Sequence, residues 1–220
     1  MPSSIFSHQA PGLLLKIKYP RKFDGTALCI STLVPDFNLL VNPFLTFDFR
    51  NITHSLLGLL IFTIPLTIIL TMLFSRYIGP FIANIAKRGS RIYKPLRYYG
   101  LDEWDHLKKK KYNRRYFVVA SYSAFIGGLT HLLLDLPAHK YNLMFFPLVM
   151  LNPDFLLYSI KDFGTIKIGP IQFNANLTVF QLIWFIETLI TFVIALYLLR
   201  YIKKRNLIKN WYEEIPEVSR

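Results

Sequence analysis

Three apolar runs dominate the chain: Ser55 to Phe74, Tyr116 to Leu136, and Leu177 to Leu199. Each reaches the about 20 residues that a helix rising about 1.5 Å per residue needs to cross a bilayer. The first run carries no charge, and Pro65 within it predicts a kink whose freed carbonyl a neighbouring helix can satisfy. The second closes on His131 and Asp135, and the third has Glu187 as its only charged residue. Two further apolar stretches are shorter or broken. Ala27 to Val34 stops at Pro35-Asp36, and Leu143 to Ile160 is interrupted by Pro147, Asn152, Pro153 and Asp154. Both are expected as buried or re-entrant helices, which are tolerated at membrane depth where protein covers the backbone. The pattern predicts an all-α fold. It is a polytopic membrane helical bundle of three full spans plus shorter buried or re-entrant helices, one membrane domain over residues 1–220.

Charge adds an orientation. Hydrophobic residues make up 53% of the chain, yet the formal net charge is +13. The basic residues stand in blocks: five before the first span, twelve in 75–115, three in 137–176 and six from Arg200 onward. Loops rich in Lys and Arg stay cytoplasmic. The rule places the 75–115 loop and the 203–220 tail in the cytoplasm, and the N-terminus and 137–176 outside the cell membrane. The run Leu107 to Tyr116, LKKKKYNRRY, precedes a span directly. It is expected to anchor on anionic lipid headgroups rather than on nucleic acid, and His106 beside it is read as a surface residue. A single cysteine, Cys29, excludes internal disulfides and cysteine metal clusters. Residues 1–10 lack the basic end and apolar core of a signal peptide, so the first span is expected to direct insertion.

Candidate chemistry gathers on the outer side of that topology. Four of the five histidines fall there: His8, His54 at the mouth of the first span, and His131 and His139 around the end of the second. Asp36 closes the short apolar helix, and Asp135 follows His131 by four residues. That spacing puts both side chains on one helix face, a platform for a divalent metal. Imidazole with carboxylate suits zinc, manganese or iron. Ionisable groups within a span cost several kcal/mol (~3 or more) unless they are paired or functional, so a plain His131–Asp135 hydrogen bond is the competing account. Glu187 is read either as a neutral carboxyl bonded to Thr191 or to a neighbouring span's hydroxyl, or as a group that backs the site or relays protons.

The ordered motifs are SH near the start, PDF (Pro35 to Phe37), THSLLG (Thr53 to Gly58) and G-x-x-HLLLD-x-x-x-H (Gly128 to His139). Together they resemble a family of uncharacterised prokaryotic membrane-bound metal-dependent hydrolases, of the domain of unknown function 4184 type. That family is distantly similar to zinc-dependent phospholipase C and the zinc nucleases. The resemblance implies metal ligands at His8, Asp36, His54, His131, Asp135 and His139, catalytic roles for Asp36 and Asp135, and one or two divalent ions, zinc first among them. The late H-x-x-x-E pair of the soluble enzymes is missing, because Ile183 stands four residues before Glu187. The resemblance further implies a hydrolase acting on an amphiphilic phosphoester, such as a lipid or polyprenyl phosphate, at the outer interface. The alternative is a non-enzymatic metal-binding or transporter-like bundle, which would continue its polar residues into the cytoplasmic half of the spans.

Overall fold

The computed structural model describes residues 7–136, 141–168 and 171–212. The protein is mostly helical, and three helices are long and apolar enough to cross a membrane. A short helix pair comes first. Helix α1 (Gln9–Lys18) begins immediately after His8. Helix α2 (Gly25–Ser31) is capped by Asp24, whose carboxylate accepts from the Ala27 amide at 2.8 Å. Gly12 lets the two helices close, since a Cβ there would stand 3.3 Å from the Leu28 Cβ. Beyond α2 the chain bends by 43° into the segment Val34–Phe44, which opens on a tight turn holding Pro35 and Asp36. Ala27, Leu28 and Val34 are fully buried, so this stretch is a covered helix.

The first long helix, α3 (Leu56–Lys87), starts at Ser55, whose hydroxyl accepts from the Gly58 amide at 2.9 Å. It runs well past Phe74. Its 32 residues extend about 48 Å, against about 30 Å of hydrocarbon. Wide π-turns at Leu59–Thr63 and Phe74–Ile78 precede Pro65 and Pro80, and such turns absorb the bond that a proline cannot make. Thr63, Thr67, Thr71 and Ser75 recur every four residues and are fully buried, giving α3 a narrow face for close packing.

Helix α4 (Arg114–Asp135) is capped by Asn113, which accepts from the Tyr116 amide at 2.9 Å. Gly127 and Gly128 are its points of closest approach. A Cβ at Gly127 would meet the Leu28 carbonyl oxygen of α2 at 2.5 Å, and one at Gly128 the Leu59 side chain of α3 at 2.7 Å. Helix α5 (Val179–Lys204) starts with a Thr178/Gln181 capping box, and only 11% of its apolar window is buried by protein. At its far end Lys203 pairs with Asp102 and Glu103 at 3.0 and 2.7 Å. Helix α6 (Leu207–Tyr212) then folds back onto the α1–α2 hairpin through Tyr212, whose hydroxyl lies 3.2 Å from Thr26 Oγ1. Beneath it lies a buried ion pair, Asp24–Lys110 at 2.8 Å, with the Lys110 ammonium 4.8 Å from the Tyr212 ring centre.

Two expectations need correction. Residues Leu143 to Ile160 do not form a buried helix. Strand β1 (Tyr141–Asn142) pairs with β2 (Met150–Leu151), and β3 (Ser159–Ile168) pairs with β4 (Ile171–Thr178), both antiparallel. Within that stretch the one helical turn among the described residues is Asp154–Leu157. Pro147, Pro153 and Asn152 deny a helix the length it needs, and the fold is mostly rather than wholly α.

Candidate metal centre

Three separate pieces of chain build the site. Asp36 sits on the turn after α2, His54 ends the short turn ahead of α3, and His131 and Asp135 lie one turn apart at the end of α4. The close helix packing at Gly127 and Gly128, one turn before His131, sets how near the three pieces come.

One ligand atom from each of the four side chains falls within 4.8 Å of the others. His54 Nε2 is 3.4 Å from Asp36 Oδ1 and 3.6 Å from Asp135 Oδ2. His131 Nε2 is 3.7 Å from each of the same two oxygens. These distances are long for hydrogen bonds. They lie near the spacing of about 3.3–3.6 Å that separates two ligands of a metal with bonds of about 2.0–2.2 Å, and the whole set of four stays within 4.8 Å. His131 is fully buried, and its Nε2 has no hydrogen-bond partner. An orphaned imidazole nitrogen aimed at two carboxylates fits a cation between them.

The far nitrogens of both rings are held. His54 Nδ1 lies 3.0 Å from Thr53 Oγ1, and His131 Nδ1 lies 3.0 Å from His8 Nδ1. With His131 donating to His8, each Nε2 keeps its lone pair for the centre. His8 therefore backs a ligand and is not among the four donors that converge. His139 lies outside the described residues. His106 is in the turn Leu101–Lys109, on the loop between α3 and α4. Burial opposes a charge on His54, but Asp135 and Asp36 outweigh it and leave its affinity for a proton raised. Burial dominates at His8 and lowers its proton affinity. Glu187 is half-buried, with a buried Oε1 that has no hydrogen-bond partner. The Thr191 hydroxyl donates instead to the main-chain carbonyl of Glu187 at 2.7 Å, so the expected Thr191–carboxyl bond is not made.

Sequence reasoning missed the walls of the site. A recess of about 20 Å³, room for one water-sized group, is lined by Arg50, His54, Asp135, Tyr141 and Asn142 with apolar neighbours. Arg50 precedes His54 by four residues, the same one-turn spacing that marked His131 and Asp135, and that signal was available.

The fold and the site define a class: a helical protein with membrane-length spans and a buried cluster of two histidines and two aspartates able to hold a metal ion. The chain belongs to the family described as domain of unknown function DUF4184, whose profile matches residues 1–215. No curated protein and no solved structure matches it.

Proposed function

We propose that this chain is a membrane-embedded, metal-dependent hydrolase that acts on the phosphoester of an amphiphile at the outer membrane–water interface. The convergence of Asp36, His54, His131 and Asp135 carries the reading. Four donors within 4.8 Å of one another suit one ion, and two imidazoles with two carboxylates suit zinc. A divalent metal held by these four residues, with a water as a fifth ligand, would lower the pKa of that water toward neutrality and polarise a phosphoryl oxygen.

The chain's own residues do the rest. His8 and Thr53 hold the two imidazoles in the ligating tautomer. Asp36 and Asp135 each offer one oxygen to the cluster, and a carboxylate beside the ion can take the proton of an attacking water. Leu132, Leu136, Leu143 and Met144 make the recess apolar on one side, which favours a substrate with a hydrocarbon tail.

The test is metal stoichiometry of the purified protein, alongside cleavage of a generic phosphodiester and a phosphomonoester. Wild type should hold about one zinc per chain, and Asp135→Asn and His131→Ala should lose both metal and activity, while Lys109→Ala keeps both. A protein purified gently without bound transition metal refutes the proposal. Metal without hydrolysis of any phosphoester returns the reading to a metal-binding or transport protein.

A further inference from the structure

We propose that Arg50 is the anion clamp of this site. A phosphoryl group, borne by a lipid headgroup or present as free phosphate, binds at the mouth of the recess, with one oxygen in its water-sized space beside Arg50, His54 and Asp135. The inference rests on the metal-site reading and adds to it the group that holds the substrate's charge.

Position comes first. Arg50 lines the recess with His54 and Asp135. The His54 amide donates to the Arg50 carbonyl at 2.9 Å, so one turn of chain fixes a metal donor and a guanidinium together. Arg50 is half-buried. Burial opposes its charge, and Asp135, Asp48 and Asp36 favour it. Asp48 is otherwise engaged, its Oδ1 accepting from Asn42 Nδ2 at 2.7 Å and from the Arg50 amide at 3.0 Å.

Charge comes second. Asp36 and Asp135 neutralise one divalent cation, and neutral His54 and His131 add nothing. Arg50 is then the cationic side chain among the residues that line the recess. A half-buried cation beside a metal is costly unless an anion completes it. The planar guanidinium presents its donors as a fork that matches two oxygens of a phosphoryl group. A third oxygen would then face the donor cluster.

The experiment uses the full chain, purified in neutral detergent and loaded with zinc. Inorganic phosphate is titrated by calorimetry, and phosphatidate in neutral micelles is the second probe. Variants are Arg50→Gln and Arg50→Lys, and zinc content is measured in each. In Arg50→Gln, phosphate affinity should fall about 10–100-fold. Zinc should be held as tightly as in wild type or more so, because a repelling cation is gone. Arg50→Lys should restore part of the loss, since it keeps the charge and loses the fork. Tighter binding of phosphatidate than of inorganic phosphate assigns the anion to a lipid headgroup, and the reverse assigns it to free phosphate. Unchanged phosphate affinity in Arg50→Gln with zinc in place overturns the clamp alone. Loss of zinc together with phosphate makes Arg50 a structural residue and also overturns it. Absence of zinc from wild type fails the underlying metal reading, and the clamp with it.

Discussion

Replacing Gly127 by alanine tests whether helix packing sets the metal centre. A Cβ at this position would stand 2.5 Å from the Leu28 carbonyl oxygen and 2.1 Å from Ser31 Oγ. The carbonyl cannot rotate away, so α2 must retreat from α4 by about 1 Å to reach ordinary contact. Asp36 follows α2 by five residues and would move with it. The spacings of 3.4 and 3.7 Å from Asp36 to His54 and His131 would open by a comparable amount. Metal bonds tolerate only about 0.2 Å. Alanine is favoured over glycine within a helix by about 1 kcal/mol, and overpacking costs about 1–3 kcal/mol, so the fold should lose about 0–2 kcal/mol. Zinc affinity should fall by about tenfold or more, although every ligand is intact. Zinc titration and thermal unfolding in detergent measure the two effects. Gly89→Ala is the control, because nothing lies within 4 Å of a Cβ there. A Gly127→Ala protein that melts higher and holds zinc as wild type does would show that the helices have slack and that packing does not position Asp36.

His8→Ala should keep the four donors and lower zinc affinity by about 10–100-fold, because His131 loses the partner that fixes its ring; unchanged affinity removes His8 from the site. Zinc affinity should rise with pH. The raised His54 proton affinity means that, without metal, its imidazolium contributes stability in full below the ordinary value of 6.5, and that contribution is lost as pH rises through the raised value. Zinc must displace that proton, so calorimetry should show proton release on binding, and affinity that is flat from about pH 6 to 8 contradicts the assignment. At the other end, burial opposes ionisation of Asp24, but the Lys110 ammonium and the Ala27 amide outweigh it and hold the carboxyl below its ordinary value. Asp24→Asn or Lys110→Met alone should each cost about 3–5 kcal/mol, and the double variant less than either single; additive losses in a thermal-melt cycle would show that the two charges do not act as a pair.

The spans were legible because apolar length is a one-dimensional signal. Their ends were less so. The sequence places the end of the first run at Phe74, where apolar residues thin out, but the helix continues because Pro80 and the polar residues beyond it are compatible with a helix that has left the hydrocarbon. The pairing of His131 with Asp135 was readable from helical spacing, whereas the approach of His54 and Asp36 depends on tertiary packing that no local pattern encodes. The strands were legible in part. TIKI and IQFNANL alternate apolar with other residues, the mark of paired strands, a period that a reading by apolar run length passes over. The spacing of Arg50 from His54 was readable, but the role of Thr53 was hidden, because it looks like an ordinary residue at a helix mouth until its hydroxyl meets the His54 ring.

The split origin of the four donors has a consequence for how the protein is made. Asp36 and His54 lie before the first long helix, and His131 and Asp135 at the end of the second, with the whole of α3 and the basic loop between them. With both helices crossing a bilayer, the centre would assemble only after both had been threaded and the α1–α2 hairpin had docked against them. Capture of an ion would then mark the end of insertion, tying segments that entered the membrane at different times. A chain stalled with one helix outside would present only half the donors and would bind metal weakly. In this protein the cation would report on biogenesis as well as chemistry, and a quality-control protease could distinguish finished from unfinished copies by that single knot.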